Sequence, residues 1–333
     1  MIGIDIGSKF LKVCKIIETG KKEKKFAAYS AMQNIAGLEE SGKVQVLSFM
    51  LKKLNVNKDL SFLAVGGKDL VNRDVTLPSN SIVSKSLKST IMTEAANSIS
   101  EDLSGMFSSY SIIKNSEKEA NIIFSAVPKS KINSKLNIVK HIKDISVKGI
   151  TMEAFALANA FEYLGPSYKN TESIVLINMG HVTSNIIVLN NKELVFVKDI
   201  DFGGQDITKS IASSYMIPEK LAEEIKRKED LKQKINFNMK NVLKKATSSL
   251  IEAIFRTIEY CVTRQYILSV DRIVITGGGA LTEGLDSFIE ETLGISVNKW
   301  NPLSDNEFIG YTNKTYGFFM PISLGLALEK EQQ

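Results

Sequence analysis

The feature that most constrains this chain is a unit that occurs twice, half a chain apart: an apolar strand, a glycine turn and a returning strand. The first copy runs Ile2-Gly3-Ile4-Asp5-Ile6, turns at Gly7-Ser8, and returns through Lys12 and Val13 to Ile17. The second runs from Ile174 to Ile177 into Asn178-Met179-Gly180, continues through His181-Val182-Thr183-Ser184, and returns from Asn185 to Leu189. Gly7 is expected to supply the positive φ of a two-residue hairpin turn. The amides of such a turn can converge on an anion. Lys12 can reach a phosphate from the returning strand. Asp5 can hold a hydrated Mg²⁺, a hard cation that takes carboxylate oxygens and keeps waters. A third unit runs from Arg272 to Thr276 into Gly277-Gly278-Gly279, with a helix expected from Leu281 on. Glycines there let the backbone approach a flat ring or a phosphate. Any one unit is equally an ordinary turn; together they imply two related halves closing on one nucleotide.

With those units goes a series of longer stretches, in order: GIDIGSKFLK from Gly3 to Lys12, VGG from Val65 to Gly67, TLP from Thr76 to Pro78, and AVPKS from Ala126 to Ser130. MEAFALANAFEYL follows from Met152, ELVFVKDIDFGGQDIT from Glu193, ITGGGALTEGLDSF from Ile275 and ISLGLAL from Ile322. The chain thereby resembles the PilM family of type IV pilus assembly. That family has the actin-like ATPase (ribonuclease H-like) fold shared with sugar kinases, Hsp70 chaperones and actin. The glycine turns mark the superfamily; EAFALANAFE and FGGxxxT point to PilM.

The resemblance implies an α/β fold of two related halves around a nucleotide cleft, with the 1C subdomain of PilM and of the division protein FtsA. Subdomain 1A would take residues 1–71, 1C 72–151, the 1A linking helix 152–170, 2A 171–203 and 271–305, 2B 204–270, and the 1A closing segment 306–333. The implied cofactors are ATP and Mg²⁺. Gly7, Ser8 and Lys12, with Lys9 beside them, would hold the β- and γ-phosphates, and Gly180, Thr183 and Ser184 would hold them from the other side. Gly277, Gly278 and Gly279 would lie along the α-phosphate and adenosine, and Asp5 would orient Mg²⁺ through water. Glu153 either faces the water at the γ-phosphate or is a surface carboxylate favoured at a helix N-terminus. Glu223 and Lys226 either contact ribose and adenine or belong to a solvated helical face. The implied partner is the short cytoplasmic N-terminal tail of a PilN-like inner-membrane protein, docked between 1A and 1C near Val65 to Leu77. Pilus motor ATPases and self-association remain open.

Composition is that of an ordinary globular chain: 333 residues, 44% hydrophobic and 24% charged, with room for more than one domain. The net charge of +5 is scattered as Lys, and Lys21-Lys22 and Lys24-Lys25 read as a solvated hairpin loop rather than a nucleic-acid site. Cys14 and Cys261 sit in apolar stretches outside any CxxC and are expected to be reduced core residues. The N-terminus reads as a strand rather than a signal peptide. No apolar run approaches a membrane span. The polar end Glu329 to Gln333 lacks the amphipathic helix of FtsA, so no direct membrane insertion is expected. The expected location is cytoplasmic, at the inner face of the membrane through partners.

Local patterns predict helices at Gly42 to Leu54, Ile82 to Ile99, Ser130 to His141, Glu153 to Leu164, and from after Asp206 to Tyr215. They also predict helices at Glu219 to Arg227, Phe237 to Tyr266 and Phe318 to Leu328, with Pro321 in the first turn of the last. In the long helix, Val242, Ile251, Ile254, Phe255, Ile258 and Val262 mark the buried side. Strands are expected at Leu60 to Val65, Arg73 to Pro78, Ser108 to Ile113, Asn121 to Val127, Ser146 to Ile150, three between Ser173 and Ile200 with a turn at Asn190-Asn191, and Ile295 to Lys299.

The second turn departs from the family, whose motif there begins with Asp; this chain has Asn178. That removes a carboxylate which would help hold Mg²⁺ or orient an attacking water, so ATP binding with slow hydrolysis is expected, at most a slow ATPase. His181 replaces a small residue and either touches a phosphate or is structural. There is no GxxxxGK[ST], which excludes a P-loop mechanism. The competing reading is a filament-forming division or cytoskeletal protein of the FtsA or MreB kind; a small-molecule kinase comes third.

Overall fold

The computed structural model describes residues 1–19, 25–99, 102–169, 171–227, 238–304 and 314–329. β1 (Ile2–Ile6) is buried along its whole length, as a strand covered on both faces must be. It pairs antiparallel with β2 (Phe10–Thr19), which pairs antiparallel with β3 (Lys25–Asn34). On its other side β1 pairs parallel with β4 (Asp59–Val65), and β4 pairs parallel with β8 (Ile145–Met152). The second half repeats this plan. β9 (Ser173–Met179), also buried throughout, carries β10 (Ser184–Asn190) and β11 (Glu193–Ile200) antiparallel on one side. Parallel β12 (Arg272–Thr276) and β13 (Val297–Lys299) lie on the other. The strand orders β3-β2-β1-β4-β8 and β11-β10-β9-β12-β13 are therefore the same. A third sheet, β5 (Val71–Pro78), β7 (Glu119–Pro128) and β6 (Met106–Asn115) in that order, is antiparallel and carries α2 (Leu87–Ser98).

Two apolar helices lie between the large sheets: α4 (Glu153–Leu164) and α10 (Pro321–Ala327), the latter buried along its length. Two glycines set how closely they pack. A Cβ on Gly3 would stand 1.9 Å from the Ser323 carbonyl oxygen, and one on Gly325 would stand 1.7 Å from that of Ala156. α10 is thus wedged between β1 and α4 with no room for a side chain at either contact. The first half is completed by α1 (Glu40–Lys53) and α3 (Lys129–Val139), which share a core of Leu47, Met50, Leu51, Ile138 and Val139. The second half is completed by α5 (Gly204–Tyr215), α6 (Glu219–Ile225), α7 (Met239–Ala246), α8 (Ser248–Thr263) and α9 (Leu285–Leu293). Cys14 and Cys261 are free and buried, as expected. Among the described residues no helix is long and apolar enough to cross a membrane.

Several local expectations need correction. The strand expected at Ser146 to Ile150, grouped with residues 72–151, forms as β8 but pairs with β4 in the first sheet, and α3 likewise packs on α1. The helix expected at Ile82 to Ile99 is a 3₁₀ turn (Ser79–Val83) followed by α2, with the Ser86 amide donating to Ser84 Oγ at 3.2 Å in the gap; serine side chains there compete with the helical ladder. The long helix at Phe237 to Tyr266 breaks at Thr247, which is buried with its hydroxyl donating to Leu243 O at 2.8 Å. Its buried stripe is Leu250, Ile254, Thr257 and Cys261, whereas Phe255 and Val262 are exposed. The helix after the glycines is a 3₁₀ turn (Gly278–Leu281) preceding α9, and the closing helix is shorter than expected, beginning at Pro321. The β10–β11 turn has its positive φ values at Asn191 and Lys192, one residue later than expected. Lys21, Lys22 and Lys24 lie outside the described residues.

Candidate functional site

The two glycine turns, the three glycines after β12 and the N-terminal end of α4 line one cavity of about 540 Å³ between the halves. The turns are built alike. The Gly7 amide donates to Phe10 O at 3.0 Å and the Gly180 amide to Thr183 O at 3.0 Å. Neither Gly7 nor Gly180 lies in the left-handed region, so the expected positive φ at Gly7 is not what glycine provides. It provides space: a Cβ on Gly180 would stand 2.5 Å from Thr183 O, and one on Gly7 3.1 Å from Phe10 O. Gly277 does have φ +86°, and a Cβ there would meet Met179 O at 2.4 Å. The same substitution at Gly278 would meet the Phe319 ring at 2.4 Å. The floor of the cavity is therefore bare backbone.

The strand residues flanking each turn are paired in register, Asp5 with Lys12 and Asn178 with Asn185. The side chains repeat the pairing. Asp5, almost fully buried, is ion-paired with Lys12, while Asn178 Nδ2 donates to Asn185 Oδ1 at 2.9 Å. One turn thus carries a charged pair and its counterpart a neutral one.

Asn185 extends this second pair across the cleft. Its Nδ2 donates to Asp199 Oδ1 at 2.8 Å and to Glu153 Oε2 at 3.3 Å, and Asp199 Oδ2 accepts the Gly67 amide at 2.9 Å. Burial pushes the Asp199 carboxyl up to about 6, with the Glu153 charge adding to the rise. Glu153, first residue of α4, lies against Gly66, where a Cβ would meet its carboxyl at 2.3 Å. It lines the cavity rather than the outer surface.

On the far wall stands a closed polar cluster. Lys226 is buried, and its Nζ donates to Gly204 O at 2.8 Å, Thr208 Oγ1 at 2.7 Å and Glu223 Oε2 at 2.8 Å. Its three protons are spent inside the fold, so Lys226 does not belong to the solvated face, which α6 forms with Glu219, Lys220 and Glu224, and the ammonium acts as a strut. Burial draws it down to about 8, partly offset by Glu223. Burial also pushes the Glu223 carboxyl up, but Lys226, Thr208 and Arg227 outweigh that and hold it at about 2. Glu223 Oε1 also lies 3.5 Å from Lys9 Nζ, joining the two halves across the cavity. This cluster explains the FGGxxxT stretch. The Gly204 amide donates to Gly180 O at 2.9 Å and the Gln205 amide to His181 O at 2.8 Å, so the start of α5 braces the second turn. A Cβ on Gly203 would stand 2.4 Å from His181 O, and Thr208 closes on Glu223.

Of the expected site residues, Asp5, Gly7, Ser8, Lys9, Lys12, Glu153, Gly180, Thr183, Glu223, Lys226 and Gly277 to Gly279 all line this cavity. Ser184 does not: it is fully buried and its hydroxyl donates to Phe202 O at 2.6 Å. His181 lines the cavity with its basicity lowered by burial and by Lys9. Sequence reasoning missed Lys68, Lys131, Lys135, Arg227 and Phe319 on its walls. The spacing of Lys131 and Lys135 on one helical face was the one available signal.

The cradle fits a nucleoside polyphosphate with Mg²⁺. It combines bare backbone where a Cβ would intrude, lysines along the wall of the first half and a nearly buried Asp5.

A second cavity of about 940 Å³ lies between α4 and the third sheet. Its walls come from β6, β8 and the start of β11, each an edge strand of its own sheet. Phe155, Ala158 and Asn159 of α4 form part of it. Of residues 65–77, expected to frame the partner cleft, only Val65 lines it; the rest of that stretch runs into β5, on the opposite edge of the third sheet from β6.

A family model described as type IV pilus assembly protein PilM matches residues 3–330. A solved structure described as the PilM–PilN type IV pilus biogenesis complex superimposes with a TM-score of 0.81 at 18% identity, over 98% of this chain and 97% of that one. The ethanolamine utilization protein EutJ of Carboxydothermus hydrogenoformans gives 0.56 at 13% identity, over 98% and 88%. MreB5 of Spiroplasma citri bound to ADP gives 0.52 at 13%, over 97% and 94%. These likenesses establish an actin-like fold.

Proposed function

The chain belongs to the PilM family of type IV pilus assembly proteins, and from that premise we propose that it is a nucleotide-stabilised adaptor rather than a fast enzyme. ATP with Mg²⁺ occupies the 540 Å³ cavity, and the cytoplasmic N-terminal tail of a PilN-like membrane protein occupies the 940 Å³ cavity. The observation that carries this reading is the pair of glycine turns facing each other with unequal chemistry, Asp5–Lys12 on one and Asn178–Asn185 on the other. The first turn with Lys12, the second turn through Gly180 and Thr183, and the three glycines after β12 would hold the nucleotide, and Asp5 would hold the metal through water. Mg²⁺, when bound, offsets phosphate charge that lysines alone leave uncompensated. Because Asn178 is an amide engaged with Asn185, the second turn has no carboxylate to orient a water, and slow turnover follows.

The second cavity suits an extended peptide, because edge strands present unpaired N–H and C=O groups that an added strand can satisfy. Nucleotide acts on that partner by favouring the closed arrangement of the halves through differential affinity. The protein would then sit at the inner face of the membrane through its partner.

The test is titration of the full chain with Mg·ATP and with a synthetic peptide of a PilN-like N-terminal tail. Saturable binding of both, with turnover below about one per second, is the expected result. A chain that binds neither, or that sediments as nucleotide-dependent filaments without retaining the peptide, overturns the adaptor reading.

A further inference from the structure

α3 continues directly from β7 and turns one face into the nucleotide cavity. Lys131 and Lys135, one helical turn apart, both line it. The two lysines are held differently. Lys131 Nζ lies 3.4 Å from Asp69 Oδ2, a half-exposed carboxylate. Lys135 Nζ donates to Ala64 O at 2.7 Å and Ile6 O at 3.2 Å. Those carbonyls belong to the C-terminal ends of β4 and β1, two residues before Gly66 and directly before Gly7, and ligands of α/β sheets sit outside such strand ends. Two of its three N–H protons are thereby used. Neither acceptor is a carboxylate, and among the described residues it forms no ion pair. Of the other cavity lysines, Lys12 has Asp5, Lys9 and Lys226 have Glu223, and Lys131 has Asp69, while Lys68 is exposed.

The charges felt by Lys135 are Glu153, Asp5, Lys12 and Lys131, whereas those felt by His181 are Lys9, Glu223, Lys226 and Asp206. The cavity thus has two charged regions, and Lys135 belongs to the one with the candidate Mg²⁺ carboxylate. Burial draws its ammonium below the usual lysine range, the condition under which an added anion is most favourable. We infer that Lys135 binds the terminal phosphate of a nucleoside triphosphate, making α3 the element that distinguishes a triphosphate from a diphosphate. This rests on the reading of the cavity as a nucleotide site.

The test compares Mg·ATP and Mg·ADP affinities by calorimetry for the full chain and for Lys135→Met, with Lys140→Met, exposed at the far end of the helix, as control. One charge-assisted contact corresponds to roughly tenfold in affinity. Lys135→Met is therefore expected to weaken ATP roughly tenfold and ADP less than about twofold, with the control unchanged. Equal weakening of both nucleotides marks Lys135 as a structural strut between α3 and the strand ends and overturns the inference. An unchanged ratio does the same. Where the Met variant does not fold, Lys135→Arg keeps the charge but displaces it, and an ATP-to-ADP ratio equal to the parent's again overturns the assignment. A parent chain that binds neither nucleotide removes the nucleotide reading itself. Binding by the parent with no change in ratio removes this inference alone.

Discussion

Restoring a carboxylate to the second turn is expected to damage the protein unless a metal is present. In Asn178→Asp the donor to Asn185 Oδ1, now 2.9 Å away in a buried site, is replaced by an oxygen. A hydrogen bond worth roughly 1 kcal/mol disappears, and a buried acceptor facing an acceptor costs roughly 1–3 kcal/mol more. Asn185 cannot compensate by turning its amide over, because its Nδ2 already serves Asp199 and Glu153. The loss is therefore roughly 2–4 kcal/mol, or about 3–6 °C of melting temperature for a chain of this size. Thermal unfolding at pH 7.5 measures it directly. Two conditions are expected to restore stability. At pH 5 a protonated carboxyl can again donate to Asn185, and saturating Mg·ATP supplies a cation for the new charge. A variant that melts with the parent at pH 7.5 without ligand refutes the reasoning, as does one whose deficit is the same at both pH values.

Asp199 should govern the neutral limb of the pH–stability curve. Its folded value near 6 lies above its ordinary 3.8, so the folded state binds the proton more tightly. Its penalty is absent below about pH 4 and grows as pH rises to about 6. Asp199→Asn should flatten that slope in urea titrations at pH 4.5 and 7.5, and persistence of the full slope would assign it elsewhere. Glu223→Ala leaves Lys226 buried without its carboxylate and should cost roughly 2–3 kcal/mol in the same assay, discounted because Glu223 is partly solvated; no loss at pH 7 would show that the cluster adds nothing. Gly325→Ala forces a Cβ to within 1.7 Å of Ala156 O and should cost roughly 3 kcal/mol, the upper end of overpacking. A change below 1 kcal/mol would show that α10 and α4 can part freely.

What the sequence made legible was local or repeated. The two turns, the strands beside them, α4 and the glycines after β12 could be placed because hydrophobic run, glycine and length coincide within a short window. What it hid was long-range or geometric. β8 looks like part of the stretch that precedes it, because its pairing with β4 spans the whole third sheet and leaves no local trace. The break at Thr247 is silent because Val242, Leu243, Leu250 and Ile254 keep helical phase across it. Ser184 reads as a phosphate ligand by position, yet the strand's alternation turns its hydroxyl to Phe202. Lys226 reads as surface in a charged run, and only the fold shows three acceptors around it. Lys135 shows in the sequence only through its spacing from Lys131, since its partners are the carbonyls of two distant strands.

The repeated plan of the two halves sets a direction as well as a shape. Two frames of the same strand order would, with identical walls, present a pocket that looks alike from either end. Here one frame carries an acid and a base where its counterpart carries two amides. A chain of phosphates bound as proposed would therefore have a head and a tail imposed on it by the protein, the duplication supplying the vessel and the mismatch between its copies the polarity.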